Sequence, residues 1–339
     1  MEKLEQILST LKKELGEGKF APGTRFPSEY DLAQRFSVNK KTANKAVSLL
    51  AAEGFLTRGK RGQGTRVAAS VPYPKGQIAF LGSVLNAYYA EVFHGIQCGA
   101  LQRNYMTYYF APPPQELNSA LKKLFRSPAQ GIITHAYGHL EMDSLPCVYI
   151  DYEPRPDDSV LHMITCNNYL GGHEMMKEIL ARGHRDIVIY FHHGLMSDRL
   201  RGFHDAMKEA GIKDCRERTF CGVEHSDFDA REVLKAIRKK YPACSVIATA
   251  SDNDLLHLVR AMKAMKIPWR DDFTVTGFGN VTGISTVLPV ATVDQHPFRI
   301  GCRAADLLIN IIENGEPAVP IRESIGVEVI NAHNIPVIR

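Results

Sequence analysis

Apolar side chains recur at helical spacing from the start of the chain, with Leu4, Ile7, Leu8, Leu11 and Leu15 forming one stripe that ends against Gly16 and Gly18. A loop marked by the Pro22-Gly23 turn signal follows. Ser28, with Asp31 three residues on, then has the form of a short-acid capping box opening a second helix through Leu32, Ala33 and Phe36. The spacing predicts a third helix from an Asn39 N-cap to Gly54, burying Ala43, Ala46, Val47 and Leu50. Next, FLTRGKRGQGTRV alternates and is rich in glycine, which predicts a two-stranded hairpin with its tip at residues 59–64. Three short helices and a hairpin make a winged helix-turn-helix over residues 1–68.

Residues 69–76 contain two prolines and no helical period, and read as a semi-extended linker. Beyond them the pattern changes. QIAFLGS, YMTYYF, GIITHA and CVYID alternate with helical stretches, one through His94 to Asn104 and one at Leu117–Phe125. The alternation resumes after Asn167 with DIVIYF, a helix at Arg201–Ala210, SVIATAS, a helix to Lys266, and FTVTGFG. This is the signature of parallel sheets covered by helices. Two such runs predict an α/β body of two similar lobes over residues 77–339, with chain crossings near residues 164 and 290.

Charge separates the two parts. Residues 1–68 hold 13 Lys/Arg against 7 Asp/Glu, whereas the whole chain has a formal net charge of only +4. The excess falls on the third helix, whose polar side carries Lys41, Asn44, Lys45 and Ser48 with Lys40 and Thr42 at its first turn, and on Lys60 and Arg61 at the hairpin tip beside Gly62 and Thr65. A recognition helix meets base edges with its N-terminal turn and one polar face, and a basic wing sits over phosphates. The expected partner is double-stranded DNA.

In the body, polar residues follow the strand-like segments: Asn86, Tyr88 and Tyr89 after the first, His135 after GIIT, Asp151 after CVYI, and Ser251 and Asp252 after VIATA. Ligands of open α/β sheets bind at such strand ends, and these side chains suit a small polar molecule. Neither GxGxxG nor GxxxxGK[ST] occurs, which removes the main support for nucleotide binding. The seven cysteines are scattered without a CxxC pair, favouring reduced thiols over disulfides or zinc, and no cofactor is expected. No apolar run is long enough to span a bilayer, and the amphipathic N-terminus with its acidic residues is unlike a signal peptide, so a cytoplasmic protein with no membrane partner is expected.

Two family resemblances sharpen these expectations. PGTRFPSEYDLAQRFSVNKKTANKAVSLLAAEGFLTRGKRGQGTRV resembles the DNA-binding domain of the gluconate-repressor (GntR) family, with the pattern PG-x-[RK]-L-P-S-E-R-E-L-A, V-S-R-x-T-V-R-x-A, and G-x-G-T-x-V. Tyr30, Lys40 and Asn44 stand where that family usually places DNA-contacting arginines. The body resembles the effector domain of the lactose-repressor (LacI) family, which shares its fold with periplasmic sugar-binding proteins. The matching segments are NNYLGGHEMMKEILARGHRDIVIY, SDRLRGFHDAMKEAGI, FTVTGFGNV and ATVDQHPFRIGCRAADLLI.

The second resemblance implies that Tyr88 and Tyr89 stack on a sugar and that Asp151, Arg199 and Gln295 contact it. Two positions depart, since Asn167 and Gly279 stand where the family carries aspartates. The fusion is the arrangement of regulators of the arabinose-repressor type. It implies a homodimeric, ligand-controlled repressor of a carbohydrate-utilisation operon, its effector a sugar or sugar derivative. The rival readings are a cytoplasmic sugar-processing enzyme, in which Asp151, Asp252, His135 and His296 meet in one cleft, or a solute-binding protein.

Overall fold

The computed structural model describes residues 2–60, 63–69, 74–135, 137–140, 145–152, 161–191, 197–221, 230–268, 273–284 and 287–338. The N-terminal part is a winged helix. Helix α1 (Glu2–Gly16), α2 (Glu29–Arg35) and α3 (Lys40–Ala52) precede an antiparallel hairpin of β1 (Leu56–Arg58) and β2 (Thr65–Val67). Both predicted caps form. Ser28 and Asp31 complete a reciprocal capping box, and Asn39 accepts from the Thr42 amide at 2.8 Å, satisfying donors that a helix start leaves open. Leu11, Ala46 and Leu50 are fully buried in the small core between the three helices and the hairpin.

The body holds two parallel sheets. The first lobe has six strands in the order β13-β7-β6-β5-β3-β4: β3 (Gly76–Leu81), β4 (Tyr105–Phe110), β5 (Ala129–Thr134), β6 (Cys147–Ile150), β7 (His162–Cys166) and β13 (Arg322–Ile325). Helices α4 (Ala87–Gln102), α5 (Leu117–Leu124) and α10 (Pro297–Asn314) belong to it. The second lobe has four strands, β8 (Ile187–Phe191), β9 (Thr219–Cys221), β10 (Val246–Thr249) and β11 (Thr274–Thr276), in the order β11-β10-β8-β9. It carries α6 (Asn168–Ala181), α7 (Ser197–Glu209), α8 (Ala230–Lys240) and α9 (Asp252–Ala264), with a ribbon of β12 (Thr292–Asp294) and β14 (Glu328–Ile330). Central strands such as β8 and β10 are buried at every position, as parallel sheets covered on both faces require.

Three details depart from the sequence expectation. Helix α4 starts at Ala87, ahead of His94, because Asn86 caps it by accepting from the Tyr88 amide at 2.8 Å; the tyrosine pair therefore lies on the first helical turn. The chain crosses between lobes at Asn167, between β7 and α6, and at Gln295-His296, between β12 and α10. It also crosses a third time, between β13 and β14.

Candidate functional site

On the winged helix, several acidic residues are taken up away from the first turn of α3. Glu14, nearly buried, accepts from Arg35 and from Lys19 at 2.6 Å; the Arg35 guanidinium draws its carboxyl down to about 2. Glu53 pairs with Lys12 at 2.6 Å and Glu17 with Lys13 at 3.8 Å. Lys41, Lys45 and Lys60 are exposed, with no carboxylate partner among the described residues.

Tyr30, 68% exposed, carries the Lys40 ammonium 4.0 Å from its ring centroid, so two of the residues in arginine positions form one cationic platform. Asn44 donates its amide to Glu29, and Arg58 donates to Ser48 at 2.7 Å. Ser28, Asn39 and Thr42 are occupied by capping, with Thr42 Oγ1 donating to Asn39 at 2.9 Å. Thr65 opens the return strand of the wing. Arg61 and Gly62 lie outside the described residues.

The second site is a cleft of about 370 Å³ between the lobes, lined from both sheets' carboxyl ends. Asn86, Tyr88, Tyr89 and Asp151 form the wall from the first lobe, Arg199, Ser251 and Asp252 the wall from the second, and Gln295 the floor at a crossing. Asp151 sits at φ 48°, in the left-handed region, with Oδ2 accepting from the Tyr88 hydroxyl at 2.8 Å and Oδ1 from Thr165 at 3.0 Å. Burial raises its carboxyl above the usual range, and these two donors hold it back.

Opposite, Arg199 is buried and donates twice to Asn168 Oδ1, at 3.1 and 2.6 Å, and once to the Ala250 carbonyl. No carboxylate among the described residues lies in ion-pair range of it; Asp198 pairs with Arg201 at 3.0 Å instead. Gln295 donates to Cys166 Sγ at 3.1 Å, and Cys166 donates on to Asn168 at 3.4 Å. A hydrogen-bonded chain therefore runs from the crossing to Arg199.

Other expected site residues take different places. His135 lies behind the cleft wall: its ring stacks on Tyr89 with centroids 3.7 Å apart, its Nε2 lies 3.1 Å from the Ser83 carbonyl, and burial pushes it down to about 4. Asn167 caps α6 by accepting from the Leu170 amide at 3.0 Å, and is not part of the lining. Asp252 lines the cleft, but both oxygens are bound by the fold, one by the Val281 amide at 2.7 Å and one by Thr292 at 2.8 Å. Ser251 caps α9. His296 leaves the cleft and stands between Asp294 and Glu328 at the crossing.

The sequence reading missed Asn168, Phe278 and Asp254. Asn168 is adjacent to a predicted residue, and Phe278 lies within the quoted FTVTGFGNV segment, so both had a signal. Gly279, where the LacI-type aspartate is absent, has φ 137°. A side chain there strains the backbone, so the missing carboxylate and the local conformation go together.

Two other features are weaker candidates. An open depression of about 830 Å³ lies along α7 near Leu200, His204 and Cys215; it is larger than the cleft but lies away from the interlobe strand ends. Asp294, His296 and Glu328 come close enough to hold a metal ion, but both Asp294 oxygens already accept, from Asn280 at 2.9 Å and from the His296 amide at 2.8 Å. Among the described residues no helix is long and apolar enough to cross a membrane.

Comparison with known proteins agrees with both halves. Residues 3–67 match the bacterial regulatory proteins of the gntR family, and residues 176–331 match the periplasmic binding protein-like domain. An arabinose metabolism transcriptional repressor of Geobacillus stearothermophilus is 24% identical over 322 residues, 87% of each chain. The repressor PurR of Histophilus somni (strain 2336) is 24% identical over 263 residues, 70% of this chain and 78% of that one. Among solved structures, the regulator CelR in complex with cellobiose superposes with a TM-score of 0.65 at 17% identity, over 90% of this chain and 98% of that one. A LacI family regulator of Enterococcus faecium with bound ribose superposes with a TM-score of 0.62 at 16% identity, over 75% and 96%. The chain thus joins a gntR-family winged helix to a periplasmic-binding-protein-like domain, the architecture of the transcriptional regulators it resembles.

Proposed function

We propose that the protein is a homodimeric repressor of a carbohydrate-utilisation operon, acting on palindromic operator DNA in the cytoplasm and released or retuned by a small sugar-like effector. The observation that carries this reading is the cleft itself. It is built from both lobes and floored at a crossing, with a buried arginine facing two tyrosines and an aspartate. A ligand touching both walls favours the closed arrangement, and its differential affinity for that arrangement is the free energy available to alter DNA binding.

The named relatives support the carbohydrate assignment. The hydrogen bonds that hold Asp151 and Asp252 in place support binding over acid–base chemistry. The reading is tested by a gel-shift assay of the full chain on its own upstream DNA, joined to a thermal-shift screen of neutral sugars, sugar acids and sugar phosphates. A ligand that raises the melting temperature should also change operator affinity, by roughly 5–150-fold. A stabilising ligand with no effect on DNA binding would overturn the regulatory mechanism.

A further inference from the structure

Lys75 stands directly before β3, after Pro74, whose ring fixes its own φ at the end of the linker. It is held twice. Its amide donates to the Asn104 carbonyl at 2.6 Å, between α4 and β4, and its ammonium donates to Glu313 Oε1 at 3.0 Å in the last turn of α10. Glu313 also accepts from Arg103 Nη2 at 2.5 Å. The hydrogen bond from Lys75, and after it that from Arg103, draws the Glu313 carboxyl below the usual carboxylate range.

Arg103 is the C-cap of α4, and its Nη1 donates to Asp306 at 2.8 Å and to Asn310 at 3.0 Å. Asp306 pairs in turn with Arg303 at 2.6 Å, and Arg303 with Glu323 on β13 at 2.7 Å. A polar line therefore runs along α10 from the strand that precedes the third crossing to the end of the linker. Its base is stiff, because α4 and α10 pack backbone to backbone. A Cβ on Gly95 would stand 2.1 Å from the Phe298 carbonyl oxygen, and one on Gly301 2.0 Å from that of Val92. Helix α10 starts directly after the Gln295-His296 crossing, and its 18 residues carry the chain about 27 Å to Asn314, beside Glu313.

An isolated exposed ion pair contributes little. Here one carboxylate is shared by two cations, each fixed by a second contact. We propose that Lys75, Glu313 and Arg103 form a clasp that makes the end of the linker part of the first lobe, with Glu313 as its positioning residue. A reorientation of the lobe is then delivered to the DNA-binding half instead of being absorbed in a loose tether. Opening the clasp lengthens the tether, so the two winged helices of a dimer are no longer held at one separation. This rests on the dimeric regulator reading given above.

Two measurements on the full chain test it. Trypsin cuts after lysine, and cleavage after Lys75 is compared by mass spectrometry with cleavage after the exposed Lys60. Glu313→Gln should speed the cut after Lys75 roughly threefold to fivefold relative to that after Lys60, as its local opening becomes easier. The second is selection of binding sites from a randomised duplex pool. The native protein should enrich paired half-sites at one spacing, roughly tenfold over neighbouring spacings. Glu313→Gln and Lys75→Met should spread over several spacings with the same base preferences inside each half-site, and Lys75→Arg, which keeps the cation, should restore the single spacing.

Unchanged cleavage in Glu313→Gln would show that the clasp does not anchor the linker, and a spacing preference as narrow as the native one would show that it transmits nothing; either result overturns the proposal. Should Glu313→Gln lose its cooperative melting, the spacing preference of Lys75→Met decides alone. A native chain that enriches no paired half-sites would overturn the dimeric regulator reading and the clasp's role with it, which tells that failure from the other two.

Discussion

The Arg199 guanidinium carbon lies 3.5 Å from the centroid of the Phe278 ring, so this buried cation of the cleft wall rests on an aromatic face. Ring and carbonyls stabilise the charge without neutralising it, and a desolvated contact of this kind contributes about 2 kcal/mol. Together with Asn168 and the Ala250 carbonyl, they fix the guanidinium on the cleft wall.

Arg199→Ala should abolish the effector response. Loss of a charged hydrogen bond weakens ligand binding by about 1.5–3 kcal/mol, roughly 10–150-fold. Operator affinity without ligand should stay within about twofold by gel shift, since Arg199 belongs to the second lobe and its hydrogen-bond partners, Asn168 and Ala250, are both in the body. An equal loss of operator binding by the ligand-free variant would assign Arg199 a structural role alone.

Lys60→Ala should weaken binding to all duplexes alike. One lost phosphate contact reduces the slope of log K against log salt by about 0.9. Titrations at several salt concentrations on specific and random DNA measure this. A change confined to the specific duplex would place Lys60 on a base instead.

His135 should make the body less stable in mild acid. Its folded value near 4 lies below the ordinary 6.5, because burial against Tyr89 and Phe80 disfavours the imidazolium. Between those values the unfolded chain binds the proton and the native one does not, so stability falls as pH drops from 6.5 towards 4. Above 6.5 this contribution is constant. Between pH 7 and pH 5 the loss attributable to His135 is about 2 kcal/mol. Urea unfolding at the two pH values, compared with His135→Phe, isolates it; a variant with the same pH dependence as the native chain would refute the assignment.

A fragment beginning at Gln77 should remain dimeric by light scattering at micromolar concentration. The winged helix has little apolar surface beyond its own small core. The first lobe, by contrast, exposes Leu101 at the end of α4, Met106 and Tyr109 on the edge strand β4, and Phe298 on α10. Tyr109→Asp should shift the fragment towards monomer. A native fragment that is strictly monomeric would move the dimer contact to the DNA-binding domain.

What could be read from the chain follows from how local each signal is. Ser28–Asp31 and Asn39–Thr42 are contacts between residues three apart, so the winged helix is written in short stretches. The strand-end residues were legible because buried parallel strands are apolar runs with abrupt polar ends. The third crossing was not, because β13 and β14 are short and partly exposed, and carry little apolar contrast. Neighbouring residues also part company at a helix start. Asn167 turns to cap α6 while Asn168, one position on, reaches Arg199. His135 was placed at the correct strand end, but a one-dimensional pattern does not say that its ring turns back onto Phe80.

The three crossings between the lobes have a mechanical meaning. Two connections leave one half free to twist against the other, whereas a third, with β12 and β14 paired next to two of them, permits little besides a single swing, like a door on three pins. Every ligand that pulls the lobes together then drives the same movement, whatever its hydroxyl pattern. Changes in the cleft walls can retune which molecule is sensed while the message delivered to the DNA-binding half stays the same.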